Sequence, residues 1–411
     1  MGNKVKKITV AITVRGNDSR LLKTIESVKE RVKGMDAEIM VVSDGACSNN
    51  NLPNDINLVL TDTKPRGTSF AKHTAMINAG NDIVVCCDSH MEFPAGCFEM
   101  YHDHLTAFPK HIVCSQTNMI GPDRVTSVYY GGMFKCKVIG DPRKPHIDNK
   151  VDRQPFAVSW RDVRYSGPLQ GVMGGCYGLT KSFYDTMEQP WQYGKGWGAD
   201  EESISLAAWY MGGMGWLLPQ TIDHYGGTRG FVEDNYFKSA PLYNRKRVVE
   251  MIDDKVTREE FIRWFDQAHS FVIADLKDFS QITTWRKSIT EKKKRYFVDL
   301  IDDWESNITV KELYQVQKER GVEVKKNQRK AKMVDMWKNP KGEGVVAKKE
   351  EKKVDVPARA NYGAMENRRV CHKCGSYGSK VNNTKKTGRT VIRYRECLDC
   401  HALRCTQEIV K

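Results

Sequence analysis

The stretch Ile83-Val84-Val85-Cys86-Cys87 constrains the fold more than any other part of the chain, because it is apolar on both faces and stops abruptly at Asp88. A strand with no polar alternation must be covered on both sides, as the central strands of a parallel sheet are. The runs Ile8 to Val14, Glu38 to Ser43, Leu58 to Thr61 and Asp82 to Cys87 are short and rich in β-branched residues. Segments between them, such as Arg20 to Val32, carry helical spacing of apolar residues. The alternation predicts βαβ units and an α/β fold with a mostly parallel sheet. Polar residues at the carboxyl end of such a strand stand where open α/β sheets bind ligands. Asp88-Ser89-His90 is therefore the first place to look for chemistry.

The 411 residues suffice for a sizeable core with smaller units appended. From about Arg245 to Arg320 the pattern becomes that of amphipathic helices, with capping-box starts at Thr257-Arg258-Glu259-Glu260 and Thr309-Val310-Lys311-Glu312. Between Gly321 and Arg369 the chain is Lys-rich, poor in large apolar residues and broken by Pro340, Gly342, Gly344 and Pro357, which predicts a flexible basic linker. The expected organisation is a catalytic α/β domain over 1–245, a helical extension over 246–320, the linker over 321–369 and a small terminal unit over 370–411.

Of the twelve cysteines, seven are scattered before residue 180 at irregular positions, as buried free thiols would be, and five crowd into the last 41 residues. The opening MGNKVKKITVAITV lacks the apolar run and cleavage site of a secretory signal, so a cytoplasmic, reducing location is expected. No segment approaches the roughly 20 apolar residues that cross a bilayer.

Asp88 and His90 are two residues apart. At an extended strand end both side chains can point the same way and offer one hard oxygen and one imidazole ligand. Such a pair suits Mn2+, or Mg2+, yet D-x-H strings are common, and a turn-capping Asp88 with a surface His90 explains the same letters. The surrounding chain adds context. Ile8 to Arg15, the strand ending Val41-Val42-Ser43-Asp44, the strand ending Cys87 to Glu92, and Gly174-Gly175-Cys176-Tyr177-Gly178-Leu179 followed by Gly196-Trp197-Gly198-Ala199-Asp200-Glu201-Glu202 stand in a fixed order over residues 8 to 230.

That order resembles the catalytic domain of the polypeptide N-acetylgalactosaminyltransferases and, more broadly, the GT-A glycosyltransferases. The resemblance implies a Rossmann-like GT-A fold and a metal-dependent transfer from a UDP-sugar. It places Thr13, Val14 and Arg15 toward the nucleoside, Asp44 on the uracil, Asp88 with Ser89 and His90 at the metal and diphosphate, and His224 as third metal ligand. Arg66 and Lys72, in the basic helix start Arg66 to Lys72, and Arg229 become phosphate partners, with Gly174 and Gly175 beside the donor. Trp197, Asp200 and Glu201 line the sugar and acceptor pocket; here Ala199 and Asp200 depart from the family's Trp-Gly-Gly-Glu-Asn, which puts the register of the acidic residue in doubt. The D-x-H pair and distal histidine favour the retaining relatives.

In the tail, Cys371-His372-Lys373-Cys374 and Cys397-Leu398-Asp399-Cys400 form two CxxC knuckles separated by 22 residues, the spacing of a structural zinc ribbon. Lys and Arg side chains interleave with Tyr377 and Tyr394 around them, and the whole chain carries +14 with a pI near 9.1. Cations for phosphates and aromatic faces for bases predict a nucleic-acid partner. Joined to a sugar transferase, they point to a DNA acceptor bearing a hydroxymethyl pyrimidine, as in bacteriophage genomes, inside a bacterial host. Transfer to Ser or Thr of a polypeptide, and a non-catalytic nucleic-acid-binding protein with a nucleotide-binding domain, are the competing expectations.

Overall fold

The computed structural model describes residues 5–16, 18–45, 52–121, 125–129, 131–135, 157–160, 166–225, 235–268, 279–302, 315, 379–387, 390–397 and 403–409. The chain divides into two compact units, Met1–Val346 and Ala347–Lys411.

The first unit begins with β1 (Lys7–Val14), α1 (Leu21–Arg31), β2 (Asp36–Ser43), β3 (Asn57–Leu60), α2 (Thr68–Asn78), β4 (Ile83–Asp88), β5 (Met91–Glu92) and α3 (Cys97–Ala107). It continues with β6 (His111–Ile120), β7 (Val125–Tyr129), β8 (Gly132–Lys135), β9 (Ala157–Trp160), β10 (Gly167–Leu169) and β11 (Cys176–Thr180). Then come α4 (Lys181–Thr186), a 3-10 turn at Pro190–Tyr193, α5 (Asp200–Tyr210), β12 (Met214–Tyr225), α6 (Asn235–Glu250), α7 (Lys255–Ala268), α8 (Ser280–Lys292) and α9 (Phe297–Asp302).

The four strands predicted from apolar runs are β1 to β4, each within two residues of its expected start. Helix α1 buries Leu21, Thr24, Ile25 and Val28, the i, i+3, i+4, i+7 stripe read from the sequence. Ten strands form one sheet, ordered β10-β12-β6-β11-β4-β1-β2-β3, with β5 on β12 and β7 on β6. Strands β3, β2, β1 and β4 run parallel, as do β6 and β12. Between the two groups β11 runs antiparallel to both neighbours, so the sheet is mixed at its centre. Val84, Val85, Cys86 and Cys87 of β4 are wholly buried, and removing each valine side chain from water contributes on the order of 1.5–3 kcal/mol.

This topology sets the site. The carboxyl ends of β1, β2, β4, β6 and β12 share one edge, and because β11 is reversed its amino end, preceded by Gly174 and Gly175, opens onto that same edge. Asp88, His224 and the two glycines converge there although up to 136 residues separate Asp88 from its partner.

The expected boundary between residues 245 and 246 falls inside α6. Nor does Thr257 open a helix: α7 begins at Lys255, and the carboxylate of Asp254 accepts the Thr257 N–H at 2.7 Å, so Asp254 is the cap. The second expected start, at Thr309, lies outside the described residues, as does the linker. Cys86, Cys87, Cys97, Cys114 and Cys176 are buried free thiols, as their irregular spacing predicted; burial pushes Cys86 and Cys114 up to about 12. Among the described residues no helix is long and apolar enough to cross a membrane.

In the second unit β13 (Ser379–Thr387), β14 (Thr390–Cys397) and β15 (Leu403–Ile409) form an antiparallel sheet in that order. Cys371, Cys374 and Cys400 lie outside the described residues. Cys397 closes β14, of which the backbone alone is described.

Candidate active site

Strand β4 ends at Asp88, whose backbone N–H donates to Gly175 O at 2.8 Å. Its Oδ2 stands 3.2 Å from Nε2 of His224 on β12, and the rings of His90 and His224 meet edge-on with centroids 4.6 Å apart. Short strand β5 holds this arrangement, pairing Met91 with His224, while Tyr225 donates its backbone N–H to His90 O. One ligand atom each from Asp88, His90 and His224 lie within 4.8 Å of one another, and all three residues are half-buried.

The donor set fits a divalent cation of the manganese type. The Nδ1 of His90 is taken by Asp18 at 2.9 Å, which leaves Nε2 as its ligand atom. Burial works against the Asp88 charge, yet the hydrogen bond to His224 and the positive charge of Lys72 outweigh it and hold the carboxyl below the usual range. An ionised carboxylate beside two imidazoles is the form a metal takes.

Asp18 was not among the residues singled out from sequence. Its carboxylate accepts from Ser89 Oγ at 2.6 Å and from Arg20 N at 2.9 Å besides meeting His90. Burial opposes its ionisation, but the His90 and Ser89 hydrogen bonds dominate and lower it to about 2. The signal was available: a carboxylate in the polar turn after β1 lies beside the end of β4 once the two strands pair. The Ser89 hydroxyl thus positions Asp18 and does not face outward. Exchanging Asp18 for alanine frees the His90 ring and should weaken Mn2+ binding about 10- to 100-fold, measured by calorimetry, with the melting temperature little changed.

The other expected site residues lie on several elements. Thr13 and Val14 end β1, with the Thr13 hydroxyl donating to Cys87 O at 3.2 Å; Arg15 follows, half-buried. Asp44 is buried at the end of β2, and both its oxygens have protein partners. Oδ1 accepts from Arg66 N at 2.6 Å and Thr61 Oγ1 at 3.2 Å, and Oδ2 from Gly67 N at 2.8 Å. It fixes the loop that opens α2. That loop docks on another: Gly67 has φ near 111°, and a Cβ there would stand 1.9 Å from Gly196 O, which accepts the Thr68 N–H. The Arg66 guanidinium lies 3.5 Å over the Phe70 ring.

Lys72, expected on the diphosphate, is instead buried in an ion pair, its Nζ 2.5 Å from Asp200 Oδ2, with the two side chains 3% and 5% exposed. Tyr177 OH donates to the same oxygen at 2.7 Å. Burial disfavours both charges, but each sustains the other, so Asp200 is pushed down and Lys72 up.

Glu201 behaves oppositely. Partial burial and the adjacent Asp200 charge raise it well above the carboxylate range, so it keeps its proton and hydrogen-bonds to Asp200. Its side chain lies against Gly174, where a Cβ would stand 1.8 Å from Oε1; one residue on, a Cβ at Gly175 would stand 3.7 Å from Asp88 Oδ2. Gly174 thus makes room for Glu201 and Gly175 for the Asp88–His224 pair, while Asp200 is withdrawn into the core. Trp197 is 52% exposed on the loop before α5. Arg229 lies outside the described residues.

The raised pKa of Glu201 makes a testable slope. Between the unfolded carboxylate pKa and the raised value, the unfolded chain sheds a proton that the folded chain keeps, so stability falls as pH rises through that window. Glu201→Gln should flatten the dependence by up to about 1.4 kcal/mol for each step of one in pH, the most that a single proton can contribute. Urea unfolding at several pH values above the ordinary carboxylate range reads the slope.

Residues 9–154 match the family model described as Glycosyl transferase family 2. No curated protein matches the sequence. Among solved structures, the fold is similar to GalNAc-T7 with UDP, GalNAc and Mn2+, at a TM-score of 0.55 and 15% identity over 75% of this chain; the match spans 58% of that chain. S. aureus TarS 1-349 scores 0.37 at 10% identity, covering 74% of this chain and 83% of that one. Mycobacterium tuberculosis glucosyl-3-phosphoglycerate synthase with Mn2+, UDP and phosphoglyceric acid scores 0.23 at 18% identity, covering 27% and 43%. The fold likeness rests on the first of these.

The sheet has the fold of the GT-A glycosyltransferases, and residues 9–154 are similar to glycosyltransferase family 2. The fold resembles that of GalNAc-T7, an N-acetylgalactosaminyltransferase, as the motif order implied.

Proposed function

We propose that the protein is a metal-dependent transferase that moves a sugar from a UDP-sugar to an acceptor hydroxyl. The observation that carries this reading is the meeting of Asp88, His90 and His224 at the carboxyl edge of the sheet. A divalent cation held by these three would neutralise the donor diphosphate and the charge that grows on it as the sugar leaves. Asp18 and Ser89 orient His90 for that role. Arg15, at the end of β1, lies on the nucleoside side, and Gly174 and Gly175 make room for the Glu201 carboxyl and for the Asp88–His224 pair.

In the transfer, the acceptor oxygen forms a bond to the anomeric carbon as the bond from that carbon to the diphosphate breaks, and the acceptor proton passes to the departing diphosphate oxygen. Glu201, half-buried and holding its proton against Asp200, orients the sugar hydroxyls and is not the base for that proton. Asp200 cannot act as freely, since Lys72 and Tyr177 occupy it. Trp197 offers an aromatic face to the acceptor. The resemblance to retaining enzymes makes retention of configuration the proposed outcome.

For the acceptor we propose a hydroxymethylated pyrimidine in DNA, reached by turning the base out of the stack. The +14 charge and the twin CxxC knuckles with their basic surroundings, read as a zinc ribbon, support this. The GT-A likeness to GalNAc-T7 favours a second reading, transfer to a peptide hydroxyl. Incubating the protein and Mn2+ with radiolabelled UDP-sugars and either hydroxymethylated DNA or a Ser/Thr peptide separates them. Label in DNA supports the first reading and label in peptide the second; tight DNA binding without transfer to either leaves a nucleic-acid-binding protein and sinks both.

A further inference from the structure

The backbone from Glu188 to Ala199 joins α4 to α5 with no strand ladder of its own beyond one bridge, Gly67 to Gly196. It also bends sharply, with left-handed backbone at Glu188, Gln189 and Ala199 among the non-glycine residues. Such a segment keeps one shape only if its surroundings over-determine it, and its carbonyls must find donors elsewhere. Gln189 O and Trp191 O accept from Gln192 N–H and Gly194 N–H within the segment, and side chains brace its two ends. Trp285 of α8 donates to Met187 O at 2.9 Å, and Trp191 donates to Asp200 O at 3.1 Å.

Helix α6 supplies further donors from one face. Asn244, wholly buried, donates through Nδ2 to Lys195 O at 2.6 Å and Trp197 O at 3.1 Å, while its Oδ1 accepts the Lys195 N–H at 3.1 Å. Three residues on, Arg247 is also wholly buried, with Nη1 3.4 Å from Pro190 O and Nη2 3.4 Å from Ala199 O. The two residues thus grip the loop on both sides of Trp197 and at the residue preceding Asp200. The same loop carries Gly196, whose N–H donates to Arg66 O and whose carbonyl accepts from Thr68, so its place also sets the Asp44 corner.

We infer that Asn244 and Arg247 are positioning residues. Through backbone carbonyls they fix the Lys195–Ala199 loop, and thereby Trp197 and the Glu201 carboxyl, for the transfer step. Both lie outside the matched segment 9–154, so the helical region after β12 is part of the working site and more than a support for the sheet. The inference rests on the transferase reading for its kinetic half and on the contacts alone for its structural half.

The test compares wild-type protein with Asn244→Asp, which keeps shape and the acceptor oxygen but removes both donors, and with Arg247→Lys, which keeps charge but loses the fork. Expected are an unchanged calorimetric affinity for UDP with Mn2+ and a kcat for UDP-sugar turnover lower by about 10- to 100-fold. Amide exchange across Lys195–Ala199 should be faster by about tenfold. Wild-type kcat with wild-type exchange in both variants overturns the inference. So does loss of UDP affinity by the same factor as kcat, which marks general collapse of the site. If Asn244→Asp fails to fold, Arg247→Lys decides by the same criteria. If wild-type protein turns over no UDP-sugar, the transferase reading fails by itself, and amide exchange alone decides whether the two residues brace the loop.

Discussion

Replacing Lys72 with methionine is expected to lower the stability of the α/β unit by about 3–5 kcal/mol, because it strands a buried carboxylate. The Lys72–Asp200 pair is 2.5 Å long and almost wholly shielded from water. Asp200 also stands beside Glu201, and Lys72 also offsets the charge of Asp88. Without the ammonium, Tyr177 and the first turn of α5 are left to solvate Asp200. At about 2–4 °C per kcal/mol, the melting temperature should fall by roughly 6–20 °C.

In wild-type protein the depressed Asp200 pKa contributes stability that is present above the unfolded carboxylate pKa and fades as pH falls toward the folded one. In the variant Asp200 can protonate more readily, so the loss should be largest at neutral pH and shrink in acid. Adding Asp200→Leu to the Lys72 change removes the orphan charge and should restore at least half of the lost stability. Thermal melts of wild-type protein and both variants in mildly acidic and mildly alkaline buffer check this.

His224→Ala is expected to cost the most activity. It removes one of the three grouped ligand side chains while leaving the strand pairing of β12 with β5 and β6 to the backbone. The loss of a ligand that helps stabilise leaving-group charge corresponds to several kcal/mol, or a fall in kcat/KM of about a thousandfold. Mn2+ affinity should drop with it. Folding should persist, because Asp88 keeps its backbone bond to Gly175 and the charge of Lys72 nearby. Initial rates over a Mn2+ titration, with circular dichroism as a control, measure both.

The letters of the sequence showed the sheet well where its physics is local. An all-apolar strand and the amphipathic stripe of α1 leave little choice of element or face. They also led to Asp88 and His90, since a strand end is a fixed place. What they hid depends on pairing across long distances. Lys72 and Asp200 look like surface charges at two helix starts, 128 residues apart, and their burial follows from α2 and α5 both packing on the Pro190–Tyr193 turn. Asp44 looks like an outward ligand, yet the approach of the Arg66 loop occupies both its oxygens. Asn244 and Arg247 lie in a stretch that reads as an ordinary basic helix. Their task becomes visible once the irregular loop they hold is in place.

The most direct test of a metal-dependent UDP-sugar site is calorimetric titration of UDP into the full-length protein with and without Mn2+. UDP binding is expected to require Mn2+, to be abolished by His224→Ala and to be weakened by Asp18→Ala. UDP binding of equal strength in the presence and absence of Mn2+, undisturbed by either substitution, would contradict the metal centre at Asp88, His90 and His224.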